Sequence, residues 1–152
     1  MRRVLFLAAF ALLSACQSSP QGGVVSATHQ AQAWQQLDRQ VGHYRSDGDF
    51  LQQGLMADRL RQLTGASYPI VLRNLQVAGP LRKQGQVFYV TGNRQHEGGI
   101  NAAAVALDAS SQTLRVWLLH EGRAIVMEDP GASFDWPAEV KVGIQNALSL
   151  PR

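Results

Sequence analysis

The feature that most constrains the fold is a change of hydrophobic period near the middle of the chain. Before residue 65, apolar side chains recur at helical spacing. The stretch "HQAQAWQQLDRQV" puts Trp34, Leu37 and Val41 on one face, with Gln and Arg elsewhere. A second helix is predicted over "DGDFLQQGLMADRLRQLTG". Asp49 reads as its N-cap, Gln52 as the capping-box partner and Gly65 as its stop, with Leu51, Leu55, Leu60 and Leu63 as the buried face. Beyond Gly65 the runs shorten and become rich in Val, Ile and aromatics. "YPIVLRNLQVAG", "GQVFYVTGN", "INAAAVALD", "TLRVWLLHE" and "RAIVMED" predict strands. "DASSQT" and "HEGR" are tight connections, so the last three strands form an antiparallel meander. Ala102, Ala103 and Ala104 are small for a strand and would let a helix pack close. "ASFDWPAEVKVGIQNAL" closes the chain as a helix, with Pro137 in its first turn and Val140, Ile144, Ala147 and Leu148 on one face. This order predicts an α+β domain: an antiparallel sheet of about five strands with helices packed on one face.

The N-terminus is set apart from that domain. Arg2 and Arg3 precede "VLFLAAFALL", too short and wrongly flanked to span a bilayer, which reads as an export signal. "LSAC", Leu13 to Cys16, resembles the lipobox of bacterial lipoproteins, in which the cysteine after the cut is acylated. Cys16 is the only cysteine. A single thiol in an oxidising compartment fits a lipid attachment point and leaves no disulfide for the fold. By the same resemblance, a residue other than Asp after the cysteine (here Gln17) implies the periplasmic face of the outer membrane, lipid-anchored. The expected organisation is a signal peptide over 1–15, a flexible Gln/Ser/Gly tether over 16–28 and one α+β domain over 29–152. Loss of Arg2 and Arg3 with the signal leaves twelve basic against eleven acidic side chains, so the basic excess gives no support to nucleic-acid binding.

Catalytic chemistry finds little purchase. There is no G-x-S-x-G, no phosphate-binding glycine loop and no H-E-x-x-H helix, and the one thiol is spent on the anchor. The chain is expected to be no enzyme and to need no cofactor. His96, Glu97, His120 and Glu121 would make a metal site only if two loops met.

The remaining feature is the glycine-flanked "GNRQHEGGIN" between two predicted strands. Together with "VFYVT" before it and "INAAAVALDASSQTLRVWLL" after it, this stretch resembles the inhibitor-of-vertebrate-lysozyme family. The resemblance runs in pattern from about Leu51 to Leu148. In that family a loop of pattern C-K-P-H-D-C enters the lysozyme active cleft. Arg94 stands at the family's Lys, His96 at its His and Glu97 at its Asp. Asn93 and Gly98 stand where two cysteines close the loop, and Gln95 replaces the proline. The resemblance implies a non-enzymatic inhibitor of a lysozyme-like muramidase, with Arg94, Gln95, His96 and Glu97 as the partner-binding loop. His96 would be the plug, Arg94 would help place the loop and Glu97 would satisfy a donor at the rim. It also carries a homodimer as an expectation. Without the disulfide and the proline the loop should be freer, and binding correspondingly weaker. Two other readings stand beside this one. His96 and Glu97 could be solvated turn residues, and the chain could be an envelope lipoprotein that binds another envelope protein through a sheet edge or helix face.

Overall fold

The computed structural model describes residues 21–150. The expected signal peptide, Cys16 and residues 16–20 of the expected tether lie outside them. Helix α1 (Gln21–Arg39) begins within the stretch whose composition reads as tether. It is followed by α2 (Gly54–Thr64), a short 3-10 turn and α3 (Tyr68–Asn74). Six strands come next: β1 (Val77–Ala78), β2 (Arg82–Gln84), β3 (Val87–Asn93), β4 (Ala102–Asp108), β5 (Thr113–His120) and β6 (Arg123–Glu128). Helix α4 (Ala138–Ser149) ends the domain. No described helix is long and apolar enough to cross a membrane.

The sheet is antiparallel throughout, in the order β1-β3-β4-β5-β6, with β2 also pairing with β3. The meander predicted from the two tight connections is present and is continued by β3. The α+β class is as expected, but the helices cover both faces rather than one. Phe88, Val90, Val105, Leu107, Val116 and Leu118 point to one side, against Leu37 of α1, Met56 and Leu60 of α2 and Val71 of α3. Tyr89, Ala102, Ala104, Ala106, Trp117 and Leu119 point to the other, where α4 supplies Val140 and Ala147. The reason lies in β4, which is buried at every position and therefore needs cover on both faces. Its alternate alanines form a shallow floor for α4, in the role the small residues suggested.

Two local readings change. "YPIVLRNLQVAG" is not one strand: it folds as α3 and then β1. Val71 and Leu75, four residues apart, are both fully buried, and Pro69 suits a first helical turn. Asp49 does not cap α2, whose preceding residue is Gln53, because the helix starts only at a positive-φ Gly54 (φ 78°), beyond the turn that Asp49 opens. The Asp49 carboxylate instead accepts from Arg45 Nε (3.3 Å) and Nη2 (3.2 Å). Arg45 in turn donates to the carbonyls of Leu72 and Leu75 at the end of α3. Burial of Asp49 raises its pKa, but the bonds from Arg45 and Gln52 outweigh that and hold it below the usual carboxylate value.

At the β4–β5 turn, Asp108 is only 5% exposed. Its oxygens accept from the backbone N–H and hydroxyl of both Ser110 and Ser111, at 2.7–3.1 Å. Burial pushes its pKa up, and these bonds more than offset the push, so the pKa is lowered.

Candidate functional site

Strands β3 and β4 pair as far as Asn93 and Ala102, which leaves residues 94–101 as the loop between them. Its backbone is closed by its own hydrogen bonds. Arg94 N–H donates to the Asn101 carbonyl at 2.9 Å, across the root. Glu97 N–H reaches Arg94 O at 3.0 Å, and the N–H groups of Ile100 and Asn101 both reach Glu97 O, at 2.9 and 2.7 Å. At the turn of this path His96 takes a left-handed conformation, φ 62°. Such a backbone is uncommon for a residue with a Cβ, though histidine enters it more readily than most.

The side chains divide into a tip and a root. Gln95 and His96 are exposed, and His96 makes no hydrogen bond or ion pair with any described residue. Arg94 and Glu97 turn inward and pair at 3.1 Å, their side chains 21% and 40% exposed. Arg94 Nη2 also donates to Asn74 Oδ1 of α3 at 3.2 Å. Its buried Nε has no partner, the one such side-chain atom among the described residues. The Glu97 Oε2 that pairs with Arg94 accepts from Asn101 Nδ2 as well, at 2.6 Å.

Asn101 links the loop to the rest of the sheet. With its Nδ2 committed to a carboxylate, Oδ1 is the acceptor. It receives the N–H of Glu121 at 3.1 Å and faces His120 Nδ1 at 3.2 Å, which assigns the imidazole proton to Nδ1. The turn Glu121–Gly122 is further tied to the loop by Gly122 N–H to Ile100 O, 3.0 Å. Beneath, the fully buried Asn74 donates to Leu119 O at 2.6 Å and to Ala102 O at 3.4 Å. Beside the loop lies a cleft of about 200 Å³, bounded by Gly98, Ala102, Trp117, Ile144 and Leu150.

The structure thus brings the two predicted His-Glu pairs into one neighbourhood, joined through Asn101. Among the described residues no three His, Cys, Asp or Glu side chains lie close enough together to hold a metal. The arrangement can present an imidazole on a braced protrusion. Sequence reasoning did not find Asn74 and Asn101. Asn74 was hidden in a segment read as a strand. Asn101 carried one usable signal, an amide at the head of a run that is otherwise Ala, Val and Leu.

The family model described as inhibitor of vertebrate lysozyme matches residues 55–149, well over half of the 152-residue chain. Comparison with curated proteins and with solved structures gives no match.

Proposed function

Because the chain belongs to the inhibitor of vertebrate lysozyme family, we propose that it inhibits a c-type lysozyme or related muramidase by placing the 94–101 loop in the catalytic cleft. The observation that carries this reading is the exposed, unengaged His96 at the tip of a loop whose Arg94 and Glu97 are paired with each other at its root. A lysozyme cleft holds two carboxyl groups, one kept protonated by its apolar surroundings and one ionised. An imidazole between them can donate to the ionised one and bond its protonated neighbour. If it takes up a proton there, the bonds become charge-assisted. Arg94 and Glu97 then act through loop placement, and Gln95 meets the cleft wall.

We further infer acylation of Cys16 and attachment to the periplasmic face of the outer membrane, from the "LSAC" sequence and Gln17. The domain is compatible with that arrangement. Gln30 of α1 donates to Gln112, in the β4–β5 turn. That turn and the 94–101 loop lie at opposite ends of β4, roughly 20 Å apart for a strand of this length. An anchor upstream of α1 would leave the loop pointing away from the lipid.

A second reading has its own observation. Strand β6 is one edge of the sheet and exposes Ile125 (47%) and Val126 (52%). That edge suits an envelope partner or a second copy of the chain.

The test is loss of turbidity of a cell-wall suspension under a c-type lysozyme, titrated with the chain. His96→Ala should weaken inhibition on the order of 100-fold, the scale of one or two charged hydrogen bonds. Val126→Lys should leave inhibition intact. Equal inhibition by wild type and His96→Ala, with a loss in Val126→Lys, would move the interface to the β6 edge.

A further inference from the structure

We propose that Asn101 is a positioning residue that braces the 94–101 loop for its target, a role that rests on the inhibitory reading of that loop. Three observations converge on it.

The first is how many segments meet there. The Asn101 amide group holds Glu97 of the loop on one side, and His120 with the Glu121 N–H of the β5–β6 turn on the other. Its backbone N–H and carbonyl close the loop onto Glu97 and Arg94. Through Arg94 the brace reaches Asn74 on α3.

The second is burial. Asn101 is 4% exposed and Asn74 fully buried, in a domain whose other buried side chains are nearly all apolar. A buried amide is costly unless its bonds are made, and a network of this kind fixes one geometry at the expense of others. The strand ends alone do not account for it, since Asn74 already serves the carbonyls of Ala102 and Leu119. Asn101 spends its side chain on the loop and the neighbouring turn.

The third is the shape of the root. A Cβ built on Gly98 would stand 3.7 Å from each of Asn93 Cγ, Asn93 Nδ2 and Leu150 Cδ1. The two sides of the loop are thus held in van der Waals contact at Asn93 and Gly98. Hydrogen bonds do that work here.

The experiment follows amide exchange in the full chain, and in parallel its dissociation rate from a c-type lysozyme. In Asn101→Ala, exchange at Glu97 and Ile100 should rise at least tenfold, while Ala104 and Ala106 in β4 keep their protection. Dissociation should speed up by a similar factor, with little change in the association rate. Adding Asn93→Cys and Gly98→Cys to the same background should restore both when the bridge is oxidised and lose them again on reduction. Should Asn101→Ala fail to fold, Asn101→Asp takes its place. It keeps the acceptor toward His120 and Glu121 but sets a second carboxylate against Glu97, and the same loop-limited rise is expected. Unchanged loop exchange overturns the proposal. So does a rise shared equally by β4, which would make Asn101 a residue of the fold only. A formed bridge that restores nothing also overturns it. A wild-type chain that does not inhibit lysozyme sinks the inhibitory reading. The exchange data would still decide whether Asn101 braces the loop, because no enzyme enters that measurement.

Discussion

At the scale of single residues, His96 combines two properties that pull against each other. Its backbone sits at φ 62°, a conformation costing roughly 1 kcal/mol for a residue with a Cβ. Its side chain gains no hydrogen bond, ion pair or ring contact within the described residues in return. His96→Gly should therefore leave denaturant stability unchanged or raise it by up to about 1 kcal/mol while abolishing inhibition. Gly92 illustrates the opposite case. A Cβ there would meet Val77 O at 2.6 Å and Ala78 Cα at 2.8 Å, both backbone atoms of β1. Gly92→Ala should lower stability by about 1–3 kcal/mol and free β1 from β3, measured by urea unfolding and by exchange of the Val77 and Ala78 amides. Asp108 supplies a testable part of the pH dependence. Its folded pKa is lowered, so the folded chain binds fewer protons there than the unfolded chain does. Its contribution is fully present above the ordinary carboxylate value of 3.8 and is lost as the pH falls through the lower folded value. Asp108→Asn should cost stability at pH 7, and the gap from wild type should close as unfolding is repeated toward pH 3.

At the scale of elements, legibility followed periodicity. β3, β4, β5, β6 and α4 were readable because the strands are short Val-, Ile- or Ala-rich runs bounded by turn chemistry such as "DASSQT" and "HEGR", and α4 carries a helical period. α3 was not. In seven residues the helical and extended patterns coincide, and only packing of Val71 and Leu75 against the sheet decides between them. β2 escaped because Arg82, Lys83 and Gln84 are exposed and have no apolar alternation to show. The candidate site was half legible. His96 and its neighbours stood out as a motif. Their support did not, because Asn74 lies on a misread element and Asn101 acts through contacts some twenty residues away in sequence. α4 also gives a prediction of its own. It rests on Ala102, Ala104 and Ala106, so Ala104→Leu should lift it from the sheet. The expected cost is about 1–3 kcal/mol in thermal unfolding.

At the scale of the whole molecule, the sheet separates the two ends that matter. The β4–β5 turn beside α1 lies at one end, and the loop with its braced root lies at the other. The sequence expectation of a loose, weakly binding loop followed from the missing cysteines and proline. Hydrogen bonds from Arg94, Glu97, Asn101 and Asn74 supply order that no local pattern could announce. The proposed export signal would take Arg2 and Arg3 with it, and the near-neutral charge of the rest predicts that association with a basic lysozyme is only weakly salt-dependent, so affinity should reside in the dissociation rate. The most direct test of the central claim is competition: calorimetric titration of a c-type lysozyme with the chain, alone and with the cleft already filled by a chito-oligosaccharide. If the loop plugs the cleft through His96, the sugar should weaken binding in proportion to its occupancy, and His96→Gly should bind poorly under both conditions. Binding that ignores both the sugar and the loss of His96 would contradict the account and place the interface elsewhere on the domain.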